Sequence, residues 1–297
     1  MNRRKRRNLI ISVVAAIVCV LALVLVLRGC DVDKNDATSD LESIQSKGKI
    51  VVGMECKYAP YNWTTTTEGE HTVPISNNPG AYADGYDVVI AKAIAEALGV
   101  ELEIRAIEWD GLIPALEAGE IDMIIAGMSP TEERKLSIDF TDTYLNSELV
   151  MVVRKDGVYT NATSIQDFSG AKISGQLNTF HYGVIDQING VNKDTARADF
   201  GVLIMALGSG AIDGYVCEEP GAIAAVAANP NFTYIAFANG NGFEYDPLEA
   251  SISVGLRKGS NLTAEINKIL ASLDSQKLNL MSEAIARQPV TEVEGKQ

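Results

Sequence analysis

The sequence predicts an α/β protein built from two similar lobes, and three observations carry that expectation. Short apolar runs rich in β-formers alternate with helical stripes along the chain from Lys49 onward. One pattern occurs twice: Ala115-Leu116-x-x-Gly119-x-Ile121-Asp122 is matched by Ala206-Leu207-x-x-Gly210-x-Ile212-Asp213, at a constant offset of 91 residues. The 297 residues suffice for two domains of ordinary size. One large sheet would also fit the strand–helix rhythm; the repeat favours two lobes.

Lys49–Met54 (KIVVGM) reads as a strand. The loop after it is dense in aromatics, with Tyr58, Tyr61 and Trp63 close behind the strand's carboxyl end. That arrangement suits a ligand wall, and equally ordinary surface packing. Residues 64–84, with Pro74, Pro79 and scattered glycine, read as a polar loop or small hairpin without chemistry of its own. Asp87 is placed as the cap of a helix whose core stripe is Ile90, Ala93, Ile94, Ala97 and Leu98, stopped by Gly99. Val100, Leu102, Ile104 and Ala106 alternate as a strand, with Trp109 at its end. Further strands are expected at 147–154, 171–176, 211–218, 232–237 and 251–257. Helices are expected at 179–188, 202–207, 220–228 and 261–285.

The stretch 113–134 is the most informative. A helical stripe stops at Gly119, an apolar strand runs over 121–126, and Gly127 stands at its exit. Ser129 is then expected as an N-cap, Pro130 at the first helical position and Glu132 as the partner in a capping box. Such a helix start offers unpaired N–H groups and partial positive charge, and Arg134 adds a guanidinium; together they suit a carboxylate. In the repeat register Gly127 corresponds to Glu218, so the second strand end offers Glu218 and Glu219 instead. A ligand carrying both a carboxylate and an ammonium would bridge the two ends. Taken singly, each residue has a plainer role. Arg134 would pair with Glu132, Glu133 or Asp139, Ser129 would only cap, Tyr58 and Trp109 would be core, and Glu218 beside Glu219 would be solvated.

The net charge of −14 becomes −20 once the six basic residues of 1–29, a stretch without acid, are set aside. That balance disfavours nucleic acid, whose phosphates need a basic surface. Arg3, Arg4, Lys5, Arg6 and Arg7 precede a nearly unbroken apolar run over 9–27, the pattern of an export signal. The run is close to spanning length, so an uncleaved anchor held with its basic end in the cytoplasm is the rival reading. Leu27-Arg28-Gly29-Cys30 resembles a bacterial lipobox, which makes Cys30 the lipidation candidate; Arg28 departs from the small uncharged residue usual there. Either way the main body is expected outside the cytoplasm, tethered to the cell membrane through residues 30–47. Cys56 and Cys217 are expected as buried free thiols, because a bridge between them would lock the lobes together. No Cys/His metal spacing, Ser-His-Asp pattern or phosphate-binding glycine loop is present, so neither metal nor cofactor is expected.

KIVVGMECKYAPYNW, GYDVVIAKAIAEALG, WDGLIPALEAGEIDMIIAGMSPTEERKLSIDFTDTY, GAIDGYVCEEP and SVGLRKG together resemble the extracytoplasmic solute-binding proteins of the polar amino acid ABC-transporter family. The resemblance runs from about Gly48 to Ile285. It implies a periplasmic-binding-protein-like (type II) fold: a discontinuous first lobe over 48–150 and 252–297, a second over 151–251, two hinge strands and a ligand in the cleft. It implies that Arg134 pairs with the ligand α-carboxylate beside Ser129, and that the Gly127 carbonyl and Glu218 receive the α-ammonium. Glu218 stands one methylene longer than the usual aspartate. Tyr58 and Trp109 align with the aromatics that sandwich the side chain, and Glu55 with an acidic residue that contacts cationic side chains in some members. Thr179 aligns with the threonine of a Gly-Thr turn, where Asn178 replaces the glycine. The implied partners are an amino acid, polar and preferably cationic, and a permease with its cytoplasmic ATPase; the implied state is a monomer. Two rival functions are an enzyme on the same fold, as in relatives that dehydrate prephenate-like acids, and a membrane-anchored sensor ectodomain, for which no kinase or channel segment is readable.

Overall fold

The computed structural model describes residues 40–238 and 240–289, which belong to one compact unit. The expected signal or anchor over 1–29, and Cys30 with it, lie outside the described residues. Residues 40–47, expected as the end of a tether, instead form the helix Asp40–Lys47. Its Ile44 is fully buried, and Asp40 lies 2.7 Å from the Arg257 guanidinium. An apolar residue with a core to enter explains why the polar stretch stops where it does.

Two five-stranded sheets organise the chain. The first contains β1 (Lys49–Met54), β6 (Glu101–Ala106), β7 (Met123–Ile124), β8 (Ile138–Leu145) and β14 (Ile252–Arg257), in the order β6-β1-β7-β14-β8. The second contains β9 (Leu149–Arg154), β10 (Lys172–Ser174), β11 (Asn192–Lys193), β12 (Gly214–Glu218) and β13 (Phe232–Ile235), in the order β11-β10-β12-β9-β13. In both, the central strand lies parallel to one neighbour and antiparallel to the other: β7 between β1 and β14, β12 between β10 and β9. The chain leaves the first sheet after Leu145 and enters the second at Leu149; it returns between Ile235 and Ile252.

The 91-residue repeat is a physical unit. Gly119 and Gly210 both take a left-handed conformation, at φ 73° and 75°, and end a helix by donating to the carbonyls of Leu116 and Leu207. Asp122 then accepts from the Val51 amide at 2.9 Å, and Asp213 from the Lys172 amide at 2.9 Å. Each aspartate thus fastens the central strand to its parallel neighbour. On the other side Arg257 donates to the Ile121 carbonyl at 2.9 Å, and Arg154 donates to the Ile212 carbonyl at 2.7 Å.

The apolar run 121–126 forms only a two-residue ladder, β7, because burial rather than strand pairing makes it apolar. Residues 57–84 form more than a hairpin. β2 (Lys57–Tyr58), β3 (Asn62–Thr65), β4 (Val73–Pro74) and β5 (Tyr82–Asp84) make a small antiparallel sheet ordered β2-β3-β5-β4. Asp87 does not cap the helix Tyr86–Leu98; Gly85 occupies that position. Asp87 is buried and accepts from Asn62 at 2.8 Å and from the Tyr144 hydroxyl at 2.7 Å.

Alternating side chains of β9 enter two apolar clusters. Leu149, Met151 and Val153 join the inner core of the second lobe. Val150 and Val152 join a larger cluster that is continuous with the first lobe through Tyr58, Phe200 and Cys217. Apolar packing therefore runs unbroken from one lobe to the other.

Candidate functional site

On the first lobe the site is set by the chain leaving β7. Gly127 has φ 61°, and a Cβ there would stand 3.3 Å from the Tyr58 ring, so its backbone lies close to that aromatic. Ser129 and Pro130 do not begin the next helix. The N-cap is Thr131, whose hydroxyl accepts from the Arg134 amide at 3.3 Å, and the helix Glu132–Ser137 has only six residues. Ser-Pro-Thr holds two good capping residues, and the chain is still turning at Ser129, whose carbonyl accepts from the Thr131 amide at 3.0 Å. The partial charge of so short a helix is small, so Arg134 supplies most of the positive potential.

Arg134 is half-buried and held by main-chain oxygens. Its Nη1 donates to the Ser129 carbonyl at 2.9 Å and its Nη2 to the Asn178 carbonyl at 3.3 Å, while the guanidinium carbon lies 5.0 Å over the Trp109 ring. Two of the three acids expected as surface partners are otherwise engaged, Glu132 with Lys135 at 2.8 Å and Asp139 with Lys258 at 2.8 Å. Burial pulls the guanidinium pKa down to about 10, against the opposing pull of Glu218, Glu133 and Glu249. It remains a cation at neutral pH.

Tyr58 is stacked on Phe200 of the second lobe, with centroids 4.1 Å apart and planes within 11°, and its hydroxyl donates to Glu218. Glu55 is 4% exposed and both its oxygens accept from the Gln176 amide, at 3.1 and 3.2 Å. Burial raises its pKa to about 7, since the neutral amide only partly offsets the lost hydration.

The second lobe contributes the turn before the helix Phe180–Val184 and the end of β12. Asn178 has φ 55°, the left-handed conformation that glycine favours and asparagine tolerates. The Thr179 hydroxyl donates to the Gln176 carbonyl at 2.8 Å and closes that turn. Glu218, at the end of β12, is fully buried. One oxygen accepts from Tyr58 and the other lies 2.9 Å from His181 Nε2. Burial raises its pKa, but His181 and Tyr58 more than offset this and leave it below the usual carboxylate range. Glu219 faces elsewhere: it opens the helix Glu219–Ala228 and accepts from Tyr234 at 3.4 Å.

Tyr58, Trp109, Gly127, Ser129, Arg134 and Thr179 line one small cavity of about 10 Å³ between the lobes. Gln176, Phe180, His181 and Phe200 complete its wall, and sequence reasoning missed all four. Glu55 and Glu218 do not line it; each sits one side chain behind, through Gln176 and through Tyr58 or His181. On the far side of Arg134 the cleft widens into a mouth of about 590 Å³ that includes Asp110, Glu132, Glu133 and Glu249. Cys56 and Cys217 are buried free thiols. Among the described residues no cluster of three or more His, Cys, Asp or Glu could hold a metal ion.

A sequence profile of bacterial extracellular solute-binding proteins, family 3, matches residues 50–284. The chain belongs to that family. As a family 3 protein it is similar to the arginine-binding extracellular protein ArtP of Bacillus subtilis, at 27% identity over 80% of this chain and 85% of that one. It also resembles an amino acid ABC transporter substrate-binding protein from Streptococcus pneumoniae solved bound to L-arginine. That likeness has a TM-score of 0.73 and 26% identity, and covers 84% of this chain and 98% of the other. The ancestral amino acid-binding protein AncCDT-1, a precursor of cyclohexadienyl dehydratase, superposes with a TM-score of 0.67 at 25% identity, over 84% of this chain and 99% of that one. The two-lobed type II fold of these proteins is the fold of this chain.

Proposed function

We propose that this protein is the substrate-binding component of an ABC importer and captures a cationic amino acid, with arginine as the first candidate, outside the cell membrane. Arg134 carries the reading. It is a partly buried cation whose partners among the described residues are main-chain carbonyls and no carboxylate, while two buried acids, Glu55 and Glu218, stand behind the wall of the cavity it lines. Arg134 and Ser129 receive the α-carboxylate, the Gly127 carbonyl serves the α-ammonium with the charge of Glu218 behind it, and Thr179 closes from the second lobe. Tyr58 and Trp109 flank the side chain, and Glu55 receives its cationic end. No bond is made or broken.

A cavity of about 10 Å³ holds no amino acid, so the ligand enters only when the lobes part. The hinges lie near Leu149–Val153 and Ser251–Val254, and ligand contacts with both lobes favour closure. Closed lobes are what the permease and its ATPase read. The protein acts as a monomer, tethered by a lipid on Cys30 or by the apolar run 9–27. Intact-mass analysis of the membrane fraction separates these two: retention of Arg3 to Arg7 means the anchor. The likeness to a dehydratase precursor keeps an enzyme in view, with Glu55, titrating near 7, as its acid. Against that, Glu218 would repel the second carboxylate of a diacid substrate.

A thermal-shift screen over the twenty amino acids, followed by calorimetry, tests the reading. Arginine or lysine should give the largest shift. No shift with any amino acid overturns the transport reading, and a preference for glutamine overturns the cationic one. Turnover of a prephenate-like acid would establish the enzyme instead.

A further inference from the structure

His181 is a buried imidazole that its surroundings do not satisfy. It sits in the first turn of the helix Phe180–Val184, two residues after Thr179, and is 5% exposed. Phe180 packs on it at 4.4 Å and Phe200 edge-on at 6.0 Å. Its Nε2 lies 2.9 Å from Glu218 Oε1, off the linear direction of a hydrogen bond, and its Nδ1 has no hydrogen-bond partner among the described residues. An aliphatic side chain between two phenylalanines would avoid the desolvation of two ring nitrogens. His181 also lines the inter-lobe cavity, which Glu218 does not. Glu218 already accepts from Tyr58 and has the imidazole against its other oxygen. A ligand donor in the cavity therefore meets the imidazole before it meets the carboxylate.

We propose that His181 is the specificity-determining contact for the ligand's amino group. Its Nδ1 accepts an N–H from the ammonium while its Nε2–H turns to Glu218. The carboxylate behind the ring fixes the tautomer and makes Nδ1 a stronger acceptor, the relation by which carboxylates orient histidines elsewhere. This rests on the amino acid reading above and adds the residue that recognises the amino group.

The test uses two probes in calorimetry at neutral pH. L-Arginine and 5-guanidinopentanoate share the carboxylate, chain and guanidinium and differ only in the amino group. The wild-type protein should prefer arginine by roughly tenfold or more, the worth of a hydrogen bond to a charged group. His181→Phe should weaken arginine by roughly 10–100-fold and leave 5-guanidinopentanoate within about twofold, abolishing the preference. His181→Gln, which keeps an acceptor, should restore part of it. Equal losses on both probes, or unchanged arginine affinity, would overturn the proposal.

Should His181→Phe fail to fold, nitrogen NMR of the wild-type protein decides. Its two histidines are His71 and His181. Arginine should shift the His181 Nδ1 resonance and 5-guanidinopentanoate should not; no shift with arginine overturns the assignment. If arginine itself does not bind, the tightest amino acid of the screen and its deaminated analogue take the places of the two probes. Binding of no amino acid removes this inference together with the transport reading, whereas arginine binding indifferent to His181 removes this inference alone.

Discussion

The Tyr58 hydroxyl in the first lobe donates to the Glu218 carboxylate in the second, and the Tyr58 ring stacks on Phe200 of that same lobe. One side chain thus supplies a polar and an apolar contact across the cleft. Tyr58→Phe keeps the stacking and removes the donor to a fully buried carboxylate. It should lower stability by about 1.5–3 kcal/mol, measured by urea unfolding at neutral pH. A depressed folded pKa at Glu218 means stability present above the unfolded pKa, near 4.3, and lost as pH falls through the folded one. Without the Tyr58 donor the folded pKa rises, so that acid-dependent loss should shrink. Equal stability of the two proteins from pH 3 to 7 would contradict this.

Arg134→Ala should abolish arginine binding, with a loss on the order of 2–5 kcal/mol, because it leaves a carboxylate unpaired in a closed cleft. Folding should change little, since among the described residues the guanidinium bonds to main-chain carbonyls and stacks on Trp109 without an ion pair. A folded variant with near-native affinity by calorimetry would remove Arg134 from the site.

Glu55 makes an opposite pH prediction to Glu218. Its folded pKa, about 7, lies above the unfolded value near 4.3, so the folded state binds the extra proton between them. Stability therefore falls as pH rises through that window, by on the order of 3 kcal/mol. Glu55→Gln should remove that slope and be the more stable protein at pH 8. A cationic side chain drawn against Glu55 displaces its proton, so arginine binding at pH 6.5 should release protons into buffer and glutamine binding should not. The same substitution should weaken arginine far more than glutamine; equal losses would point Glu55 away from the ligand.

Arg154 and Arg257 perform the same task in different sheets, each holding the carbonyl that precedes a strand-fastening aspartate. Each lies within 3.7 Å of that aspartate, Arg154 at 3.6 Å from Asp213 and Arg257 at 3.7 Å from Asp122. Replacing either by alanine should cost about 1–3 kcal/mol, for a buried carbonyl left unbonded. Chemical denaturation showing a large loss for one and none for the other would break the equivalence.

The repeat was readable because each of its positions has a local reason: a glycine for the left-handed helix end, an aspartate for the neighbouring strand, an isoleucine for the core. Arg154 and Arg257 complete the same unit but are 103 residues apart, since they come from antiparallel neighbours that the chain visits in a different order. That relation depends on the sheet, not on spacing. Thr131 was passed over as the cap because Ser129 offers the same chemistry two residues earlier, and only the backbone path chooses between them. Asn178, an apparent departure from a Gly-Thr turn, keeps the left-handed conformation such a glycine would have supplied. Gln176, His181 and Phe200 left no trace in the linear pattern. Closure of one lobe on the other brings Glu55 to Gln176 and Tyr58 to Phe200, and the fold of the second lobe alone brings Glu218 to His181.

Asn178 holds the edge of the cleft with an atom that has no rotamer to change. Its carbonyl accepts from the Trp109 indole N–H at 3.4 Å and from Arg134, while its side chain donates to Asp110 at 2.8 Å. A side chain can swing aside and let solvent past, but a carbonyl within a closed turn leaves only when the whole turn leaves. Opening of the cleft should therefore free the Trp109 indole proton from its acceptor. The only other tryptophan, Trp63, is buried in the small sheet and stays silent. The indole resonance of Trp109 should thus differ between the open and closed molecule, a reporter of the cleft that needs no added label.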